Sequence, residues 1–156
     1  MSRSDTRYDE DEAANHDAML GANRIHDALA ARFPETYAGV RIERDGLVVS
    51  LVPGRNVGPA ERAARSVQTA VPVRIEPVAH SLEGLMAGQR RVAQAIPTLL
   101  RQGVDLAAVA ADIATNTVRV AFRDPSADAE SLLRRDFPDI PFSVEREPSD
   151  PHPGTA

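Results

Sequence analysis

Arg41-Ile42-Glu43-Arg44-Asp45-Gly46-Leu47-Val48-Val49-Ser50-Leu51-Val52 is the stretch whose reading sets the fold. Apolar residues recur at every second position on both sides of Asp45-Gly46. That dipeptide suits a tight hairpin, because a type I′ turn needs positive φ at both central residues. A two-residue Asp45-Gly46 loop pairs Ile42 with Val49 and Val40 with Leu51 on one face, leaving Glu43/Val48 and Arg41/Ser50 on the other. One apolar and one mostly polar face is the pattern of a sheet covered on a single side. A loop over Pro53–Gly58 follows, and Pro59 suits the first turn of a helix. Val73-Arg74-Ile75-Glu76-Pro77 then alternates as a strand, so the whole reads as a ββαβ unit.

The series opens again about 70 positions later, Val48 corresponding to Val118 (118 − 48), with Asp112-Ile113-Ala114-Thr115-Asn116-Thr117-Val118-Arg119-Val120-Ala121-Phe122. Residues 104–113 carry helical spacing at Leu106, Val109, Ala110 and Ile113, but the repeat favours a strand from about Ala107. A Thr115-Asn116 turn pairs Ile113 with Val118 and sets Asp112 opposite Arg119. A three-residue turn with Asn116 left-handed would instead flip one strand. A helix then starts at Asp124-Pro125, with Ala129, Leu132/Leu133 and Phe137 apolar, and a last strand spans Ile140 to Glu145.

Between the repeats, Ser81 caps the longest helix, with Leu82, Leu85/Met86, Val92/Ala93, Ile96 and Leu99/Leu100 inward. Pro97 should kink it or start a new turn, and Gly103 suits a C-terminal cap. Upstream, Ala18/Met19, Ala22, Ile25, Leu29 and Arg32/Phe33 form a helical stripe ended by Pro34. The expected fold is α+β, two ββαβ units with small antiparallel sheets packed on helices and joined by a long central helix. Residues 1–14 read as a disordered acidic tail and 147–156 as a disordered proline-rich one. Residues 15–146 read as a single domain with lobes at 15–79 and 104–146 and a linker helix at 81–102.

The 156 residues carry a net charge of −5, and all 18 basic residues are arginine. They are scattered rather than striped, which argues against a nucleic-acid partner. No cysteine is present, so disulfides, thiolate catalysis and cysteine-based zinc sites are excluded. The acidic N-terminal sequence lacks the basic start and apolar run of a secretory signal, and no apolar run approaches the roughly 20 residues of a membrane span. The expected location is the cytoplasm.

Candidate chemistry is thin. His80-Ser81 is an adjacent pair, but Ser81 is better used as a helix cap than as a nucleophile. His16 and His26 stand ten positions apart, too far along one helix to share a metal. The Pro53–Pro59 loop lacks the residues of a phosphate-binding loop. Arg90-Arg91 and Arg134-Arg135 read as solvated faces. No catalytic, cofactor-binding or metal-ligating residue is assigned, and no small-molecule ligand is indicated.

Three stretches carry a family resemblance: Arg32-Phe33-Pro34-Glu35-Thr36-Tyr37-Ala38-Gly39-Val40, His80-Ser81-Leu82-Glu83-Gly84-Leu85 and Asp112-Ile113-Ala114-Thr115-Asn116-Thr117-Val118-Arg119-Val120. In order and spacing they resemble the pro-region of secreted trypsin-like proteases of the streptogrisin and α-lytic type. The resemblance covers roughly Ala30 to Glu145. It implies an α+β fold and a role as folding chaperone or inhibitor, with the last strand extending a sheet of the protease. The contacting parts would be Phe142 to Arg146 and the segment after Glu147. The expectation is therefore a non-enzymatic, stand-alone interaction module that presents the edge of its final strand, with Ile140, Phe142, Val144 and Arg146 as partner-binding residues. The alternative is a self-associating structural domain.

Overall fold

The computed structural model describes residues 3–124 and 126–145, with side chains from Glu10 onward. The chain divides into two compact units, Met1–Leu85 and Met86–Ala156. The first holds α1 (Arg3–Leu29), β1 (Tyr37–Glu43), β2 (Gly46–Leu51), α2 (Val57–Ser66) and β3 (Val73–Pro77). Helix α3 (Leu82–Arg101) carries the chain across the division; β4 (Leu106–Asp112), β5 (Thr117–Phe122), α4 (Ala127–Asp136) and β6 (Phe142–Glu145) complete the second unit. Most of α3 thus belongs to the second unit, where the sequence suggested a linker between lobes. None of the helices among the described residues is long and apolar enough to cross a membrane.

Each unit contains one three-stranded sheet, ordered β1-β2-β3 and β4-β5-β6. The fold class is the expected α+β arrangement of two ββαβ units, with one correction: the sheets are mixed rather than antiparallel. The hairpin strands are antiparallel, but β3 runs parallel to β2 and β6 parallel to β5. A helical crossover returns the chain in the direction of the strand it left, which a short turn cannot do. The two hairpins share an irregularity at the same place: the register shifts between Tyr37 and Gly39 in one and between Leu106 and Ala108 in the other.

Both hairpin turns differ from the sequence reading. In the first, Glu43 pairs with Gly46 and Ile42 with Leu47, so the turn is Arg44-Asp45 and the register moves by two. A Cβ on Gly46, which has φ 145°, would stand 2.4 Å from the Pro72 carbonyl oxygen, so the glycine is used inside the strand, where the backbone before β3 crowds it. A slip of two preserves the faces, and the apolar side remains apolar. In the second, Asp112 pairs with Thr117 and the turn spans 113–116, with Asn116 left-handed at φ 55°. Asp112 Oδ1 accepts from the Ala114 and Thr115 amides at 2.9 and 3.4 Å, which stabilises the longer turn. Ile113 therefore lies in the turn, and Asp112 meets Arg119 only diagonally, at 3.9 Å.

In the first unit Ala18, Ile25 and Leu29 of α1 and Ala60 and Ala64 of α2 bury against Tyr37, Leu47, Val49 and Leu51. Each fully buried aliphatic side chain is worth about 1.5–3 kcal/mol, more than an exposed ion pair, so these residues and not the many arginine pairs hold the unit together. Val92, Leu99, Val104, Val118, Val120, Leu133, Ile140 and Phe142 are the buried counterparts in the second unit. Gly21 approaches Leu47 and Gly88 approaches Val118, two residues in equivalent places, since Leu47 pairs with Val73 and Val118 with Phe142.

The ends of α3 follow the sequence, whereas α1 ends at Leu29 rather than near Pro34 and α4 begins at Ala127 rather than at Asp124-Pro125. Ser81 Oγ accepts from the Gly84 amide at 3.1 Å, and Ser126 Oγ caps α4 through Ala129. At the end of α3 the Gly103 amide bonds the Leu100 carbonyl and the Val104 amide bonds that of Leu99, with Gly103 at φ 87°, a Schellman motif. The helix runs through Pro97 without ending. At the other extreme, α1 begins at Arg3, so 3–14 is helical where a disordered tail was expected. No Pro or Gly precedes Gly21, and acidic residues suit the positive end of a helix. The expected tail at 147–156 lies outside the described residues.

Candidate functional site: the outer edge of β6

The parity of the β5–β6 ladder decides what β6 can offer. Val118 donates its amide to the Pro141 carbonyl at 2.7 Å while Val118 stands beside Phe142 in register. In a parallel pair the main-chain bonds of each strand go to alternate residues. Pro141, Ser143 and Glu145 therefore turn their main-chain groups toward β5, and Phe142 and Val144 turn theirs to the outer edge. Among the described residues no strand covers that edge.

The opposite edge of the same sheet is occupied. Gln89 of α3 accepts from the Ala111 amide through Oε1 at 3.2 Å, and its Nε2 donates to the Val109 carbonyl at 3.5 Å. One side-chain amide thus stands where a neighbouring strand would bond to β4. The edge of the first unit that corresponds to β6 is the outer edge of β3, where a proline removes one donor. Leu47 donates to the Pro72 carbonyl and Val78 to that of Leu51, so Val73, Ile75 and Pro77 face outward on β3, and Pro77 has no amide to give.

The approach to β6 is fixed from α3. Arg91 holds Asp139 with both terminal nitrogens, at 2.5 and 3.3 Å, and its guanidinium lies over the Phe137 ring at 5.6 Å. The hydrogen bond from Arg91 lowers the Asp139 pKa below the ordinary carboxylate value and raises that of Arg91. On the polar face of the sheet, Thr115 and Thr117 hydroxyls meet at 2.7 Å and Thr117 meets Ser143 at 2.6 Å, a hydroxyl row that ends on the edge strand.

The sequence-predicted partner residues fall on this edge in part. Ile140 and Phe142 are buried, each 8% exposed, so their side chains face the core and only the Phe142 main chain can meet a partner. Val144 is half-buried, and Ile140 precedes the strand. Arg146 lies outside the described residues. Gln89 and the Thr117–Ser143 pair were missed. Gln89 had a signal, since it sits between Leu85 and Val92 on the inward stripe, where a polar residue demands a polar partner.

Elsewhere the chemistry is structural. Ser81 serves the helix as its cap. His26 Nδ1 is 3.0 Å from the Tyr37 hydroxyl, and burial, with a smaller effect of Asp27, pushes Tyr37 up to about 12. No group of three or more acidic or histidine side chains among the described residues could hold a metal ion. Arg41 reaches Glu76 at 2.6 Å and Glu43 at 3.0 Å, and Arg74 also holds Glu43, an ion-pair network of two arginines and two glutamates across β1 and β3. A groove of about 510 Å³ beside it, lined by Asp11, Asn15, Ile42, Asp45 and Pro72 among others, gathers no convergent catalytic groups.

No protein-family model matches this sequence, and no curated protein is significantly similar to it.

Proposed function

We propose that the protein is a non-enzymatic interaction module that binds an extended segment of a partner protein by adding it as a strand to the outer edge of β6. The carrying observation is the outward pair of main-chain groups at Phe142 and Val144, beside a β4 edge already bonded by Gln89. Main-chain bonding at a sheet edge supplies affinity in such recognition, and alternate side chains supply specificity. In this reading the two units are copies of one module that diverged at their edges: Pro77 restricts β3, and β6 is left available. The sharpest version follows from the resemblance to protease pro-regions, in which the partner is a trypsin-like protease and binding inhibits it or assists its folding. Titration against a panel of such proteases tests that version, and absence of inhibition at micromolar concentration removes it. Retention of binding by a Val144→Pro variant that is folded would remove the edge itself as the site.

The second reading is self-association. It is favoured by the symmetry of the same edge, in which the outward residues stand evenly on either side of Ser143.

A further inference from the structure

We infer that two copies of this chain pair through β6 about a twofold axis centred on Ser143, forming one continuous six-stranded sheet. The inference rests on the reading that the outer edge of β6 is a docking edge, and it names the occupant as a second copy.

The register follows from which groups point outward. Phe142 and Val144 each turn an amide and a carbonyl away from β5, and Ser143 lies midway between them. Antiparallel pairing centred on Ser143 sets Phe142 opposite Val144 of the second copy, and Val144 opposite its Phe142. In an antiparallel ladder such a pair exchanges two main-chain bonds. Two such pairs use all four outward groups of each strand and leave none unmatched. A shift of one residue would oppose an outward residue to one already bonded to β5, and a shift of two keeps only one outward pair within the strand.

The side chains agree with it. Ser143 would face Ser143 of the second copy across the axis as a non-hydrogen-bonded pair, the closer of the two pair types. The Thr115–Thr117–Ser143 hydroxyl row would then continue into its own copy across the interface. Exposed Glu145 falls opposite Pro141, so the twofold brings no like charge against it. The interface is isologous and closes after two copies, which gives a dimer and not a fibre. Four main-chain bonds on a four-residue strand make a weak, concentration-dependent dimer, so a heterologous partner competes with self-pairing for one edge.

The absence of cysteine makes a direct test available. Ser143→Cys places one thiol on the axis, where the Cα separation of a non-hydrogen-bonded pair lies within disulfide reach. Under mild oxidation this variant should form the disulfide-linked dimer at least roughly tenfold faster than Ser131→Cys, a control on the exposed face of α4. Light scattering of the unmodified protein should show mass rising with concentration, and Val144→Pro should suppress both effects. Equal cross-linking of the two cysteine variants, with a monomeric mass throughout, overturns the second copy as occupant. That failure is distinct from failure of the edge reading, which is judged by whether the Phe142 and Val144 amides exchange freely in the monomer.

Discussion

The Gln89 side chain and the Ala111 amide are joined at 3.2 Å, and the same side chain reaches the Val109 carbonyl, so a single residue of α3 bonds the edge that β4 would otherwise expose. Unpaired strand edges invite association with other chains, and folded proteins cover them by such devices. A sheet with one edge covered in this way and the other uncovered among the described residues has a direction for its interactions.

Gln89→Ala should therefore cost about 1–2 kcal/mol, the worth of two ordinary hydrogen bonds, and should speed exchange of the Ala111 amide above that of its strand neighbours. Urea unfolding and residue-resolved hydrogen exchange check both. Unchanged protection at Ala111 would show that the clasp contributes nothing.

Tyr37 is one of only two tyrosines, the other being Tyr8. Burial raises its pKa to about 12 from 10.0. A raised folded value means that the stabilisation is complete below the unfolded pKa and is lost as pH rises through the folded one, so stability should decline between about 10 and 12. Spectrophotometric titration should show phenolate forming late, and Tyr37→Phe should remove the late component and flatten that decline. The same substitution should cost about 1 kcal/mol at neutral pH through the lost contact with His26.

Asp139 behaves in the opposite sense. Its pKa is lowered by Arg91, so its favourable contribution is present above the unfolded value and is lost as pH falls through the folded one, below 3.8. Asp139→Asn should lower the urea midpoint at neutral pH, and the difference from the unmodified protein should close in the acid range below that value. A difference that persists there would mean that the asparagine disturbs packing and not charge.

Gly46 of β2 and Gly54 of the following loop should differ sharply on replacement by alanine. Gly46→Ala meets both an unfavourable φ and the Pro72 carbonyl at 2.4 Å, and should cost upwards of about 2 kcal/mol. Gly54 has φ 154° but open space around its missing side chain, so Gly54→Ala should cost about 1 kcal/mol from backbone strain alone. Thermal or urea unfolding of the pair checks the order, and equal costs would contradict the close approach at Gly46.

Local features were legible in the sequence because their causes are local. Ser81 and Gly103 mark the ends of α3 through bonds to residues a few positions away, and alternation set the faces of β1 and β2 even where the register moved by two. The moved register sets Gly46 against Pro72, 26 positions along the chain (72 − 46), a close approach that alternation does not encode. The parallel course of β3 and β6 depends on where the crossover helices lie, which hydrophobic spacing does not encode. Of the candidate edge, the alternation of Phe142 and Val144 was visible. That their main chains turn outward required the bond between Val118 and Pro141.

Hydrogen exchange along β6 bears most directly on the claim that this edge is open for strand addition. The amides of Phe142 and Val144 should exchange fast in dilute monomer while those of Ser143 and Glu145, bonded to β5, stay protected, and the fast pair should slow when the edge is occupied. Protection of all four amides in the monomer would contradict the account, because the edge would already be covered within the chain.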